Sequence, residues 1–257
     1  MKKFVNILII GLILVVSFIF YFFVLGMPSN FDDADKLLPN NALGLIYLGG
    51  PLVGLLVCFI IIAVVYSIER QLSINKAKGK DDPVAFIRRT IQLLERGELD
   101  AAHAECDRQR GAVANVLRAA IVRFKAVEND PNFGQEKKIG EVQRSIDEAL
   151  NLETPLLEKN LVILSTVASI ATLVGLLGTT VGMIRGFAAL AETGTTSATQ
   201  LSIAISEALY NTAGGLMGAV IAIIMYNFFT TKVDGFVYMI DEAILNVQQI
   251  FTNKVRK

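Results

Sequence analysis

Polar side chains that could guide an ion recur inside two otherwise apolar segments of the chain. In the first segment, hydroxyl residues fall at steps of four, three and seven positions, which places them along one face of a helix. In the second, Glu207 is followed one helical turn later by Asn211 and then by Thr212. A hydroxyl group both donates and accepts a hydrogen bond, so such a stripe can bond to another helix or line a hydrated path. The hydroxyl residues of the first segment are Ser165, Ser169, Thr172 and Thr179.

Small residues accompany these polar side chains. Glycines let helix backbones approach each other closely in a membrane, and the chain contains the spacings Gly178-x3-Gly182 and Gly214-x3-Gly218. Because such spacing is common in membrane helices, it predicts helix packing and nothing more specific. The candidate packing residues are Gly175, Gly178, Gly182, Gly214, Gly215 and Gly218.

The sequence indicates no metal site, no cofactor and no catalytic group. The single histidine, His103, lies three residues from Cys106, and two ligands are too few for a mononuclear zinc site. The other cysteine, Cys58, lies in an apolar segment, and a disulfide between the two thiols is not expected in a reducing cytosol. An intramembrane protease would need a Ser–His pair, paired aspartates or HExxH within an apolar segment, and the apolar segments contain none of these.

The composition is that of a membrane protein. Of the 257 residues, 53% are hydrophobic and 19% are charged, against roughly 25% charged residues in soluble domains. The 24 basic and 24 acidic residues give a net charge of zero, so the charge of the chain does not indicate nucleic acid as a partner. Residues 69–159 hold 16 charges of each sign, which leaves the flanking segments poor in charge. A single soluble globule and a disordered chain are both excluded.

Four segments are apolar enough to cross the ~30 Å core of a bilayer. Because backbone N–H and C=O groups must form their hydrogen bonds within the segment when it lies in lipid, these segments are expected to be helices. The predicted fold is an all-α integral membrane protein with four transmembrane helices, a cytosolic helical bundle, and long helices that extend from the membrane into the cytosol. The predicted parts are an additional N-terminal transmembrane helix (1–26), a periplasmic loop (27–42), transmembrane helix two (43–68), a cytosolic helical domain (69–158), transmembrane helix three (159–186), a short periplasmic loop (187–201), transmembrane helix four (202–231) and a cytosolic amphipathic C-terminal helix (232–257).

Basic residues near the ends of the spans predict the orientation. Lys2 and Lys3 precede the first span, Arg70 follows the second, Lys159 precedes the third and Lys232 follows the fourth. Since basic residues concentrate in cytoplasmic loops, both termini are expected in the cytosol. The first span could instead be a signal peptide. It is longer than the usual apolar region of such a peptide and lacks a small-x-small cleavage site, so we interpret it as a retained helix.

The polar block predicts several short amphipathic helices. Asp82-Pro83 is typical of a helix start, and Gly97 ends that helix. Further helices are expected at 99–110, from Val113, and from Gln135 past Pro155 directly into span three. The apolar stripe expected for the first of these helices is Val84, Ile87, Ile91 and Leu94.

The C-terminal helix carries an apolar stripe that needs a partner. Two partners stay open from the sequence: the fourth helix of the polar block, or the same helix in another subunit. The stripe consists of Val233, Phe236, Val237, Ile240, Ile244, Val247 and Phe251.

Two runs of residues resemble the signature motifs of the ExbB/TolQ branch of the MotA/TolQ/ExbB proton-channel family. Residues 175–187, GLLGTTVGMIRGF, look like its GLLGTVxGMIxxF signature, and residues 205–216, ISEALYNTAGGL, are similar to its IAEALxxTAxGL. Tyr226-Asn227 stands where the family has a closing Tyr-Asn pair, and Glu69-Arg70 resembles the family's IER exit from a span. The resemblance covers about residues 43–257.

This resemblance implies a homo-oligomeric ring in the inner membrane, a pentamer in the best-described members. The ring encloses two copies of an ExbD/TolR-like single-span subunit that carries the essential membrane aspartate, and proton flow drives work on a TonB-like or other envelope target. By resemblance, Thr179 and Thr212 match the pore-facing threonines, and Glu207 matches the glutamate at the span start. Thr172 and Asn211 join them as candidate residues of the ion pathway. The residues themselves agree in one respect, because no Asp or Lys lies in the middle of a span and another subunit would have to supply the ionisable group.

The chain departs from the family pattern at two positions. Ile221 occupies the place of the usual proline in the last span, and Thr179-Thr180 replaces a threonine-valine step. The additional first span is also a feature of MotA-type stators, although the motifs fit ExbB/TolQ better. A non-conducting membrane scaffold is the alternative function, and the sequence leaves open both the process that is energised and the choice between protons and sodium ions.

Overall fold

The described part of the chain is helical and contains no strand, which confirms the predicted all-α class. The structure is a computed structural model that describes residues 2–33, 39–131, 133–193 and 198–256. Within these residues, four helices are long and apolar enough to cross a membrane. The chain divides into two compact units, which we call the membrane unit (1–68 and 160–227) and the polar unit (69–159 and 228–257).

The first two helical segments of the membrane unit differ from a simple pair of spans. Helix α1 (Lys2–Phe20) continues as a π-helical turn at Tyr21–Leu25, and a short 3₁₀ helix follows at Pro28–Asn30. The predicted span 43–68 is divided into α2 (Ala42–Tyr47) and α3 (Pro51–Lys78). The cause is the sequence Gly49-Gly50-Pro51, in which Gly50 takes a φ of 75° and Pro51 has no N–H to continue the ladder.

Short helices occupy the polar block close to the predicted positions: α4 (Pro83–Glu95), α5 (Leu99–Gln109), α6 (Ala112–Val127) and α7 (Gln135–Glu158). The side chain of Asp82 caps α4 by accepting from the N–H of Ala85 at 2.9 Å. The predicted apolar stripe of α4 was wrong in part, because Val84 is exposed and Phe86 is buried instead.

The sequence predicts that α7 runs directly into the third span, but the structure shows a break between them. Helix α7 passes Pro155 and ends at Glu158, and α8 (Leu161–Thr193) begins after Asn160, which has a φ of 64°. That left-handed conformation breaks the helical path between the two segments.

The last helix, α9 (Ala198–Arg256), is 59 residues long and unbroken through Ile221, the position of the usual family proline. Most of the predicted loop 187–201 is helical, because α8 continues to Thr193 and α9 starts at Ala198. Residues 194–197 of that loop, and residues 34–38 of the predicted loop 27–42, lie outside the described residues.

The apolar stripe at the C-terminal end of α9 packs within the same chain. Phe251 stacks on Phe124 of α6 with ring centroids 4.0 Å apart, and both side chains are buried. Lys254 pairs with Glu128 at 2.8 Å beside this stack. On α7, the side-chain amide of Gln143 accepts a hydrogen bond from that of Gln248. Of the two partners left open by the sequence, the structure therefore shows the one inside the polar unit, where α6 contributes as well as α7.

Candidate functional site

Helices α8 and α9 approach to backbone contact along their small residues. A Cβ atom placed on Gly215 would lie 2.7 Å from the Cα of Gly175 and 2.6 Å from the carbonyl oxygen of Ala171. A Cβ atom on Gly182 would lie 2.9 Å from the Cβ of Ala208. High residue numbers on α8 face low numbers on α9, so the two helices are antiparallel.

Gly214 and Gly218 of α9 face α3. A Cβ atom on Gly214 would lie 3.2 Å from Leu56, and one on Gly218 would lie 3.4 Å from Ile60. Helix α9 therefore contacts α8 on one side and α3 on another. Each of the six candidate packing glycines lies against a neighbouring helix, with Gly175, Gly178 and Gly182 on the α8 side.

The candidate threonines do not form one continuous hydrogen-bonded row. Thr212 donates from its hydroxyl to the carbonyl oxygen of Gly175 across the helix interface, at 3.2 Å, and its side chain is half-buried. Thr179 and Thr172 donate instead to carbonyl oxygens of their own helix, those of Leu176 and Ala168. Local bonding of this kind is usual for hydroxyls inside helices and leaves the lone pairs of each hydroxyl available.

The lower-numbered hydroxyls of α8 line a groove of about 550 Å³ in the membrane unit. Ser165, Ser169 and Thr172 form its polar side, and Ile223 and Tyr226 of α9 face them. Tyr226 was noted from the sequence as part of a motif but was not among the candidate site residues. Thr179 does not line this groove.

Asn211 is completely buried. Its side-chain amide donates to the carbonyl oxygen of Gly49 at 2.7 Å and to that of Glu207 at 3.0 Å. Its Oδ1 atom is also buried and accepts no hydrogen bond from the described part of the chain. Gly178 gives it room, because a Cβ atom there would lie 2.3 Å from the Cβ of Asn211.

Glu207 forms an ion pair with Arg185 that sequence reasoning missed. The Nη1 atom of Arg185 lies 2.7 Å from Oε1 of Glu207, whose side chain is 16% exposed. The same carboxylate lies against Gly50, where a Cβ atom would be 2.5 Å from Oε1. A single arginine at the end of an apolar segment and a Gly-Gly-Pro run inside another were the signals for this arrangement.

His103 and Cys106, which are too few for a metal site, belong to the polar unit. Cys106 is buried, and burial raises the pKa of its thiol to about 12. The Nδ1 atom of His103 lies 3.5 Å from the carboxylate of Asp107. Neither side chain is part of the α8–α9 interface.

Comparison with known proteins agrees with the sequence motifs. Residues 110–242 match the model of the MotA/TolQ/ExbB proton channel family. The chain is similar to the Tol-Pal system protein TolQ of Pseudomonas aeruginosa, with 32% identity over 120 residues, which is 47% of this chain and 52% of the relative. It is also similar to the Biopolymer transport protein ExbB of Salmonella typhimurium, with 28% identity over 152 residues, which is 58% of this chain and 61% of the relative.

A third relative is the Biopolymer transport protein ExbB of Aquifex aeolicus, 42% identical over 77 residues, or 30% of this chain and 52% of the relative. The chain thus spans between about half and three fifths of the length of these curated relatives. The family match covers more than half of the chain and includes the α8–α9 interface. The chain is therefore a multi-pass inner-membrane protein that belongs to the MotA/TolQ/ExbB proton channel family, on its ExbB/TolQ branch.

Proposed function

We propose that this protein is a ring-forming, non-enzymatic subunit of a proton-driven motor or channel in the inner membrane. Its partner is an ExbD/TolR-like single-span subunit that carries the membrane aspartate, and together they convert proton motive force into work on periplasmic or outer-membrane targets, as in TonB-dependent transport. The names of the similar proteins, a Tol-Pal system protein and biopolymer transport proteins, support this assignment.

The observation that carries the proposal is the ion pair of Glu207 with Arg185. Between Leu161 and Thr231 the sequence has two acidic residues, Glu192 and Glu207, and Glu207 is held in an ion pair by Arg185. The hydroxyls of Thr179 and Thr212 do not ionise near neutral pH, so they can relay a proton or hold a water but cannot carry the charge. A carboxylate from another subunit completes the pathway.

The exposed surface of the membrane unit supports assembly with other chains. Within this chain alone, between 17% and 44% of the apolar stretch of each candidate span is buried. The remaining apolar surface is available to lipid, to further copies of the chain and to a partner span. The family resemblance implies a pentameric ring, and the basic residues near the ends of the spans support an orientation with both termini in the cytosol.

The test is proton flux into liposomes that contain the chain together with its native single-span partner. We expect Thr179→Ala and Thr212→Val each to lower the flux by about tenfold or more, because each removes a hydroxyl from the pathway. The matched control is Thr166→Val, since Thr166 is exposed on α8 and bonds only within its own helix among the contacts described. Size-exclusion chromatography checks that each complex remains assembled.

The same measurement separates the motor from a non-conducting scaffold and from a stator of the MotA type. A scaffold predicts no flux above that of empty liposomes in the native complex. Normal flux in both threonine variants would contradict the pathway assignment. A MotA-type stator would not conduct with an ExbD/TolR-like partner.

A further inference from the structure

We propose that Asn211 is a positioning residue that fastens the α2–α3 corner onto α9 and so orients Thr212, and that it is not itself part of the ion pathway. The inference deepens the proposed function, on which its flux measurement rests. It also changes the role expected for Asn211 from the sequence, where its place one turn after Glu207 made it a pathway candidate.

The corner presents a carbonyl group that the helices themselves do not use. In a continuous helix the carbonyl oxygen of Gly49 would accept from the N–H of Val53. The N–H of Val53 instead donates to Gly50 at 3.0 Å, because the chain turns at Gly50 and restarts at Pro51. A buried carbonyl without a partner is costly, and the side chain of Asn211 supplies the missing donor at 2.7 Å.

The orientation of the amide group is determined by its surroundings. Both N–H groups of Asn211 have a carbonyl acceptor, one on the corner and one on Glu207 of its own helix. If the amide were turned by 180°, Oδ1 would face these two carbonyl oxygens and the interaction would become repulsive. The side chain therefore acts as a two-point donor that joins residue 49 to α9 across 162 positions of sequence.

The site is closed to a conducting path. Asn211 has no exposed surface, and the Cα of Gly178 packs against it so closely that a side chain at position 178 would collide with it. Thr212, the next residue, lies about 100° further around the helix, and its hydroxyl meets α8 at Gly175. Fixing Asn211 on one side of α9 thus sets the direction in which Thr212 points on the other.

The structure offers a covalent replacement for the Asn211 bond. A Cβ atom on Gly49 would lie 3.3 Å from the Cβ of Tyr210, close to the separation of about 3.5–4.5 Å found in disulfides. Gly49→Cys with Tyr210→Cys should therefore join the same corner to the same turn of α9. Because the new Cβ would also lie 2.5 Å from Cγ2 of Val53, every variant in the series carries Val53→Ala.

The first arm measures the rate of disulfide formation under a mild oxidant, without partner or proton gradient, by peptide mass spectrometry. We expect the cysteine pair to form the bond readily when Asn211 is present and several-fold more slowly in Asn211→Leu. Equal rates in the two chains would overturn the proposal. Since this arm does not measure conduction, its result tests the positioning role of Asn211 independently of the proposed function. Should Asn211→Leu fail to fold, Asn211→Ser replaces it, because a serine hydroxyl reaches the carbonyl of Glu207 but not that of Gly49.

The second arm measures proton flux in the complex with its partner. We expect Asn211→Leu to lower the flux by about tenfold and the oxidised cysteine pair to restore it to within about threefold of the parent, with the gain lost again on reduction. The single variant Gly49→Cys is the control for the substitutions. If the disulfide forms fully and the flux stays low, Asn211 acts in the pathway itself and the positioning role is wrong.

Discussion

Gly215 of α9 rests directly on Gly175 of α8, and a side chain at position 215 would collide with the backbone of α8. A Cβ atom on Gly215 would lie 2.7 Å from the Cα of Gly175, and the nearest atoms around it belong to the backbone. Backbone atoms cannot move aside as the end of a flexible side chain does. This contact therefore sets the distance between the two helices that carry the candidate threonines.

Replacing Gly215 by Ala should push α8 and α9 apart and destabilise the membrane unit by about 1–3 kcal/mol, the usual cost of overpacking. Thermal denaturation of the purified chain in detergent measures the loss. Gly218→Ala is the matched control on the same helix, because its Cβ would meet Ile60 at 3.4 Å and Ala171 at 3.6 Å, which are ordinary contacts. Equal effects at both positions would contradict the assigned interface.

The ion pair between Arg185 and Glu207 should be measurable as a coupling between two substitutions. In a double-mutant cycle of Arg185→Gln and Glu207→Gln, we expect a coupling of about 0.5–1 kcal/mol, since the arginine side chain is 59% exposed and the pair is only partly buried. The cycle uses the thermal midpoints of the detergent-purified chain. The exposed pair Arg144–Glu148, at 72% and 66% exposure, serves as the comparison and should couple less strongly. Strictly additive effects at Arg185 and Glu207 would contradict the pairing.

The stacked rings of Phe124 and Phe251 should hold the end of α9 in the polar unit. Phe251→Ala removes a side chain that is 1% exposed and should destabilise this unit by about 3–5 kcal/mol. Tyr238→Ala is the aromatic control on the same helix, because Tyr238 is 72% exposed and its truncation should change stability by less than about 0.5 kcal/mol. Urea unfolding followed by far-ultraviolet circular dichroism reports both, and equal losses would show that the stack is not the anchor.

Acid should weaken the polar unit through Asp81. The hydrogen bond from Arg89, with further attraction from Arg108, lowers the pKa of this carboxyl group below its ordinary value of 3.8. The unfolded chain then binds the proton more readily than the folded one, so the ionised carboxylate of Asp81 stabilises the folded polar unit at neutral pH. This contribution is lost as the pH falls through 3.8 toward the lower pKa of the folded state.

The measurement compares the urea midpoint at neutral pH with that at acid pH, for the native chain and for Arg89→Gln. Removing Arg89 should make the midpoint less dependent on pH, because the main cause of the shifted pKa is gone. Arg88→Gln removes the same charge from the neighbouring position and should leave the pH dependence nearly unchanged. A native-like pH dependence in Arg89→Gln would contradict the assignment.

Local sequence signals predicted the helices well where the cause of each boundary is local. The side chain of Asp82 caps α4 at the predicted helix start, and α7 begins at the predicted Gln135. The apolar length of residues 43–68 predicts a single helix, whereas the structure divides this segment at the turn signal Gly49-Gly50-Pro51. In α4, the spacing of apolar residues predicts Val84 as a core residue, but Phe86 is buried instead. The packing of α4 against neighbouring helices determines which of its faces is buried.

The amino-acid sequence by itself determined the membrane class, the four apolar helices and the membership of the family, because length, hydropathy and motif spacing are properties of contiguous residues. Only the tertiary structure decided what Asn211 and Glu207 contact. Asn211 bonds to a residue 162 positions away, and Glu207 pairs with an arginine 22 positions away on another helix. Whether a polar side chain in a helix faces a path or a neighbouring backbone depends on how the helices rotate against one another. That rotation is set by glycines of α8 and α9, which pack against each other's helix and against α3.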